Sequence, residues 1–258
     1  MFFLFILISL MQTESPEAYE NAIQITFEQR VLVHQVVKEY AFIISGVYHK
    51  NNRKSFTESM DRFERNLNML INGNTEKNIP APPTYEMIEQ LEKISYHWRK
   101  FKTLFTDSKF GQILNYQEKM DTNLKHVTEG YLALTRKEEM TLSDSEFNIL
   151  KSFDHRYYSE FLIKEVTLFM LDEGNRSNAL DIKDNFQDCI QFILDKDDES
   201  DPNYTVIDDI KSLWKTMDIT LINILDDGDK NKIHLMTLHK TQTLLIKRID
   251  RYKEIQHD

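Results

Sequence analysis

The chain has 258 residues, is 41% hydrophobic and carries a formal net charge of -10 at pH 7. That length and apolar content can bury one large core or two small ones, while an acidic balance with no basic block excludes a general polyanion-binding role, which needs concentrated Lys and Arg. With only six Gly and five Pro the chain has few residues suited to tight turns, which favours long helices over a sandwich or barrel.

Met1 to Met11 is an uncharged apolar run, MFFLFILISLM. It has the length of a signal-peptide core and is too short for a bilayer, which needs roughly 20 residues. It lacks a basic leading region and a clean small-x-small cleavage site. Residues 1–16 are therefore expected to be a signal peptide with a clipped or misassigned start, with a buried or anchoring helical start as the alternative. No later segment is apolar enough to span a membrane, so the processed chain is expected to be soluble and periplasmic or secreted. It is expected to leave no room for a kinase, methyl-accepting or other output domain. The single cysteine, Cys189, cannot form an internal disulfide and reads as a small core residue.

From Pro16 the apolar residues Ile23, Phe27, Val37, Ala41, Ile44 and Tyr48 recur at helical spacing and predict a first helix ending between Tyr48 and Asn52. A second helix is predicted over Arg53 to Ile71, with Phe56, Met60, Phe63, Leu67 and Leu70 on one face and Asn72-Gly73-Asn74 as its stop. Pro80-Ala81-Pro82-Pro83 can only be extended. The third helix is expected from Thr84 to about Thr106, burying Met87, Ile88, Leu91, Ile94, Trp98, Phe101 and Phe105. The fourth runs from Phe110 to Met140. Ser143 with Glu146 has the spacing of a capping box and marks a boundary between units at 17–141 and 142–258.

The second unit repeats the plan. Phe27, Arg30, Lys38 and Glu39 match Phe153, Arg156, Lys164 and Glu165 at a constant offset, and Val37 and Ile44 match Ile163 and Met170. Asp61 and Phe63 return as Asp184 and Phe186, Leu67 and Leu70 as Ile190 and Ile193, and Trp98 as Trp214. Asp195 to Asp201 plus Pro202 stands in place of the proline loop, and Leu124-Lys125 resembles Leu238-His239. The same landmarks in the same order imply an internal duplication. The fold class that follows is all-α, as two tandem up-and-down four-helix bundles.

Gln29-Arg30-Val31-Leu32 followed by Lys38-Glu39 resembles the conserved first-helix segment of the PilJ-type sensor domain, the N-terminal domain of type IV pilus methyl-accepting chemotaxis transducers. The stretch Asp61-Arg62-Phe63-Glu64-Arg65-Asn66-Leu67 is similar to that family's second helix, and Trp98 with Phe101 to its third. The likeness covers most of residues 20 to 140; over 145 to 256 it is weaker and leans on the internal repeat. It implies a four-helix bundle and, through nitrate-sensing relatives, an anion-binding arginine at Arg30, repeated at Arg156. The basic residue often found just before the motif is Glu28 here and Asp154 in the repeat, and its later arginine is Gln35 and Phe161. These losses of positive charge argue against nitrate itself.

Arg30 and His34 lie one turn apart on the stripe of Phe27 and Val37 and should face the bundle seam. A guanidinium presents a planar donor fork suited to an oxyanion or carboxylate. Two readings of Arg30 stand side by side: a ligand supplies its anion, or an internal salt bridge does, from Glu160, Glu28 or another carboxylate. Arg156 is expected to pair with Glu160, its i,i+4 neighbour, which leaves the first copy as the preferred site. Lys38-Glu39 and Lys164-Glu165 read first as a solvated flank and second as polar pocket walls. The candidate ligand-binding residues are thus Arg30, His34, Lys38 and Arg156.

No phosphate loop, nucleophile elbow or zinc-binding His-Glu-x-x-His is present in the sequence. The carboxylates Asp195 to Asp201 and the run Asp227-x-Asp229-x-Asn231 lack the glycine and closing glutamate of a calcium loop. The chain is read as non-enzymatic, without metal or cofactor and without a nucleic-acid partner. The function expected is a sensor module for a small anion or a partner protein, docking onto a membrane chemoreceptor or pilus-linked protein; the alternative is a helical scaffold that has lost ligand binding. Two geometries fit: bundles end to end, or a fold-back near Thr141 to Ser145 that sets the two first helices side by side.

Overall fold

The computed structural model describes residues 16–106, 109–137, 144–196 and 203–257. The apolar Met1 to Met11 run, Ser143 of the capping box with the boundary beside it, and most of the acidic Asp195 to Asp201 segment lie outside them. Eight α-helices account for the described fold: α1 (Pro16–Ser45), α2 (His49–Asn72), α3 (Tyr85–Lys102), α4 (Phe110–Lys137), α5 (Asp144–Met170), α6 (Arg176–Leu194), α7 (Tyr204–Leu225) and α8 (Lys232–His257). None is long and apolar enough to cross a membrane.

Local sequence explains the ends. Gly73 closes α2 at φ 72°, where a Cβ would lie 2.9 Å from the Ala81 nitrogen, so only glycine fits. Thr84 caps α3 by accepting the Met87 N–H, and Asn175 caps α6 by accepting that of Ser177. The first helix stops sooner than its stripe suggests. It ends at Ser45, and Ile44 and Tyr48 are 45% and 40% exposed. Phe42 and Val47 are buried in their stead, because the turn at Gly46, with positive φ there and at Tyr48, redirects the chain into α2.

Two cores result. The first joins α1 to α4 through Phe27, Val36, Phe63, Leu70, Trp98, Phe101, Met120 and Leu124; the second joins α5 to α8 through Leu162, Phe186, Ile193, Trp214, Leu221, Leu245 and Ile249. Phe63 stacks on Trp98 at 4.1 Å between ring centroids, and Phe186 meets Trp214 at 5.6 Å, so the same aromatic pair locks α2 to α3 and α6 to α7. The fourth helices correspond differently from the sequence expectation. Ile113, Met120, Leu124 and Val127 of α4 are buried as Leu238, Leu245, Ile249 and Tyr252 of α8 are, at one constant spacing. Leu124 therefore answers Ile249 and not Leu238.

The bundles lie side by side through α1 and α5, the fold-back arrangement and not the end-to-end one. Contacts climb both helices together, from Arg30 with Tyr157 to His34 with Phe161, so the helices run parallel. Phe42 of α1 belongs to the second core, and its equivalent Leu168 of α5 belongs to the first. Such a reciprocal exchange is what a pseudo-twofold axis along the seam produces.

Candidate functional site

The seam buries charge. His34, Lys38, Glu39, Lys164 and Glu165 are all below a tenth exposed. The Lys-Glu pairs are thus not the solvated flank that their sequence context suggests, because the neighbouring bundle covers the helix face that would otherwise meet water.

Arg30 has its anion within the protein. Its Nε donates to Asp121 Oδ1 at 2.8 Å and its Nη2 reaches Oδ2 at 3.4 Å. The hydroxyl of Tyr157, from the other bundle, donates to the same Oδ2 at 2.9 Å, and the Arg30 guanidinium lies over the Tyr157 ring at 4.5 Å. Burial pushes the Asp121 carboxyl up, but His34 and Arg30 beside it hold it well below the usual carboxylate range. Burial acts to lower the Arg30 pKa, and Asp121 more than offsets it. Of the two readings of Arg30, the internal salt bridge is the one observed, with Asp121 as the carboxylate rather than Glu160 or Glu28.

His34 is 1% exposed. Its ring packs on Phe161 at 4.2 Å and edge-on to Tyr157 at 5.0 Å. Nε2 stands 3.9 Å from Asp121 Oδ2, too long for a hydrogen bond, and neither ring nitrogen has a hydrogen-bond partner. Burial, with Lys164 and Arg30 nearby, lowers its pKa and favours the neutral imidazole.

One turn further on, Lys38 crosses the seam to Glu160 Oε2 at 2.5 Å. Glu160 also accepts from Gln242 Nε2 at 2.9 Å. Lys164, the equivalent of Lys38, behaves differently. It pairs with its own neighbour Glu165 at 2.7 Å and donates to Gln117 Oε1 at 2.9 Å. The cause is one difference between α1 and α5: α5 has Glu160 where α1, at the same offset, has His34, so Lys38 finds a carboxylate across the seam and Lys164 does not.

Arg156 is not paired with Glu160, as its helix spacing suggests. That carboxylate is engaged by Lys38, and Arg156 instead reaches Asp250 of α8, 2.7 Å from Nη2 to Oδ2. Asp250 also accepts from His155 Nε2 at 3.0 Å. The Arg156 side chain is 47% exposed, and its charge bears on Arg62 of α2. Arg30, His34 and Lys38 therefore line one seam, while Arg156 lies outside it.

Asp121, Tyr157, Gln117 and Glu160 complete the cluster, and sequence reasoning assigned the first three no role. An open groove of about 440 Å³ lies elsewhere, on the α3–α4 face, lined by residues that include Lys93, His97, Glu118 and Lys119. Among the described residues no group of three or more His, Cys, Asp or Glu could hold a metal ion.

Residues 12–130 match the family model described as type IV pili methyl-accepting chemotaxis transducer N-term, PilJ. No curated protein and no solved structure matches the chain. The matched segment takes in α1 to α3 and most of α4, the bundle that supplies Arg30, His34 and Asp121. Residues 12–130 are therefore a PilJ domain, a sensor-type helical domain of chemotaxis transducers, and the first bundle of this chain belongs to that family.

Proposed function

We propose that the chain is a non-catalytic, extracytoplasmic sensor module built from a duplicated PilJ-type bundle. The observation that carries ligand sensing is His34, a buried imidazole with neither nitrogen hydrogen-bonded, one turn from the Arg30 guanidinium. A buried polar group without a partner is costly, and a small carboxylate or oxyanion entering here relieves it. Such a ligand competes with Asp121 for Arg30 and accepts from His34, with Lys38 as the next cation along the seam. Because Tyr157 closes the cluster from the second bundle, occupancy is felt by both bundles. The signal then passes by docking to a membrane chemoreceptor or pilus-linked protein. The matching aromatic locks and the reciprocal Phe42 and Leu168 support duplication as the origin of the seam.

A thermal-shift screen of small anions and carboxylates tests this. A ligand at about 100 Kd stabilises by about 2.7 kcal/mol, so the native protein should melt higher, Arg30→Ala should not respond, and Asp121→Asn should respond at lower ligand concentration. A screen in which no compound shifts the native protein overturns the sensor reading. The second reading, a helical interaction protein without a ligand, is favoured by the Arg30–Asp121 pair itself. It predicts a stable partner recovered from the envelope fraction with or without added anions.

A further inference from the structure

Lys38 stands between two carboxylates that belong to different bundles. Glu160 of α5 holds its ammonium at 2.5 Å. Glu39, its own neighbour on α1, is 3% exposed, accepts from Gln35 Nε2 at 2.9 Å through Oε1, and leaves Oε2 buried without a hydrogen-bond partner. An ionised carboxylate with an oxygen buried in this way is costly, and a protonated one costs much less. The second copy displays the other arrangement. There the lysine, Lys164, is turned onto its adjacent glutamate, Glu165, at 2.7 Å, which shows that a consecutive Lys-Glu pair on this helix face can close on itself.

We propose that Lys38 is a two-position latch between the bundles: it bridges to Glu160 while Glu39 is protonated, and turns onto Glu39 when that carboxyl ionises, releasing the seam. The two positions differ in which carboxylate the ammonium faces. Lys38 moves no bond and no electron; one proton leaves Glu39 for solvent. Release leaves Glu160 with Gln242 alone, so the loss falls on the α1–α5 contact and not inside either core.

The surroundings agree. Glu39 faces Gln35 and Lys38 from α1, Ser59 from α2 and Glu160 from α5. Burial raises its carboxyl to about 7, Lys38, Gln35 and Ser59 pull it down, and the charge of Glu160 raises it further. On the far side of the Lys38–Glu160 bridge stand Gln242 and His239 of α8. Burial, with Lys38 nearby, pushes His239 down to about 4, so it stays neutral while Glu39 titrates. The latch opens as pH rises through about 7 and stands whether or not any ligand reaches Arg30.

The test places spin labels on exposed positions of the two bundles, Tyr96→Cys on α3 and Ile219→Cys on α7, in a Cys189→Ser background of the full chain. Between pH 6 and pH 8 the interbundle distance distribution should shift and broaden with a midpoint near that of Glu39. In Glu39→Gln, the neutral isostere of the protonated acid, it should keep its pH 6 form throughout. Carbon NMR of the Glu39 side chain should give the same midpoint. A distribution unchanged from pH 6 to pH 8, a pH response that survives Glu39→Gln, or a Glu39 midpoint in the ordinary carboxylate range would each overturn the latch. Loss of ligand response in Arg30→Ala with the pH response intact would separate this device from the sensor site.

Discussion

The first helices of the two bundles, α1 and α5, start from the same landmarks and end with different chemistry. In α1, Arg30 is drawn inward to Asp121 and capped by Tyr157 from the neighbouring bundle; in α5, Arg156 lies half out in solvent against Asp250. Lys38 crosses the seam, whereas Lys164 closes on Glu165. The charged motif residues, one Arg and a Lys-Glu pair, are the same on both sides. What differs is their neighbours: His34 against Glu160, Gln35 against Phe161 and Val31 against Tyr157. A motif places a charge on a helix face, but the facing helix decides its counter-ion, since a buried charge must be satisfied by whatever lies within reach.

The largest effect should come from removing the carboxylate that the seam encloses. Asp121→Ala leaves the partly buried Arg30 without its anion and should cost about 2–3 kcal/mol in urea unfolding. Arg156→Ala, which takes away the half-exposed partner of the equivalent pair, should cost about 1 kcal/mol or less. Equal losses would dissolve the contrast between α1 and α5. Next, Glu160→Gln should destabilise by about 2 kcal/mol, since Lys38 then faces a neutral amide. Lys38 should then turn to Glu39 and lower the Glu39 midpoint, which carbon NMR reads directly.

The pH limb follows from buried histidines. Burial first of all lowers His155 and His239 to about 4, so their contribution is complete above about pH 6.5, the unfolded value, and is lost as pH falls towards 4. Thermal unfolding should show the melting temperature dropping over that window, with a shallower drop in His155→Gln. Asp121, whose folded pKa is depressed, adds stability present above its unfolded value near 4 and lost below it. Glu39 acts in the opposite direction, because its raised carboxyl costs stability as pH climbs from about 4.5 to 7. The smallest effect belongs to the surface: Lys54 and Glu58 are an i,i+4 pair with side chains 79% and 64% exposed, and Lys54→Ala should change stability by less than about 0.5 kcal/mol.

Helix spacing, scarce glycine and proline, and repeated landmarks such as Phe63 with Trp98 and Phe186 with Trp214 made the all-α double bundle legible, because amphipathic periodicity is local and survives in the chain without its context. The first-helix motif likewise pointed to the PilJ family over the first bundle. Less of the site could be read. That Arg30, His34 and Lys38 share one line follows from their i,i+4 spacing. Asp121 lies far along the chain on α4, and nothing local tells an acid that serves as a buried counter-ion from one on a wet face.

The amino-acid order by itself determined the elements, their apolar faces and which charges stand on the first helix of each copy, all of them consequences of short-range geometry. Tertiary structure alone decided the rest. Parallel packing of α1 against α5 turned an apparent solvated flank into a buried seam. Once water was gone, each charge had to find a partner within reach: Asp121 of the same bundle for Arg30, Glu160 across the interface for Lys38 and the adjacent Glu165 for Lys164. Pairing of this kind depends on desolvation and on long-range contacts, neither of which exists until the bundles meet.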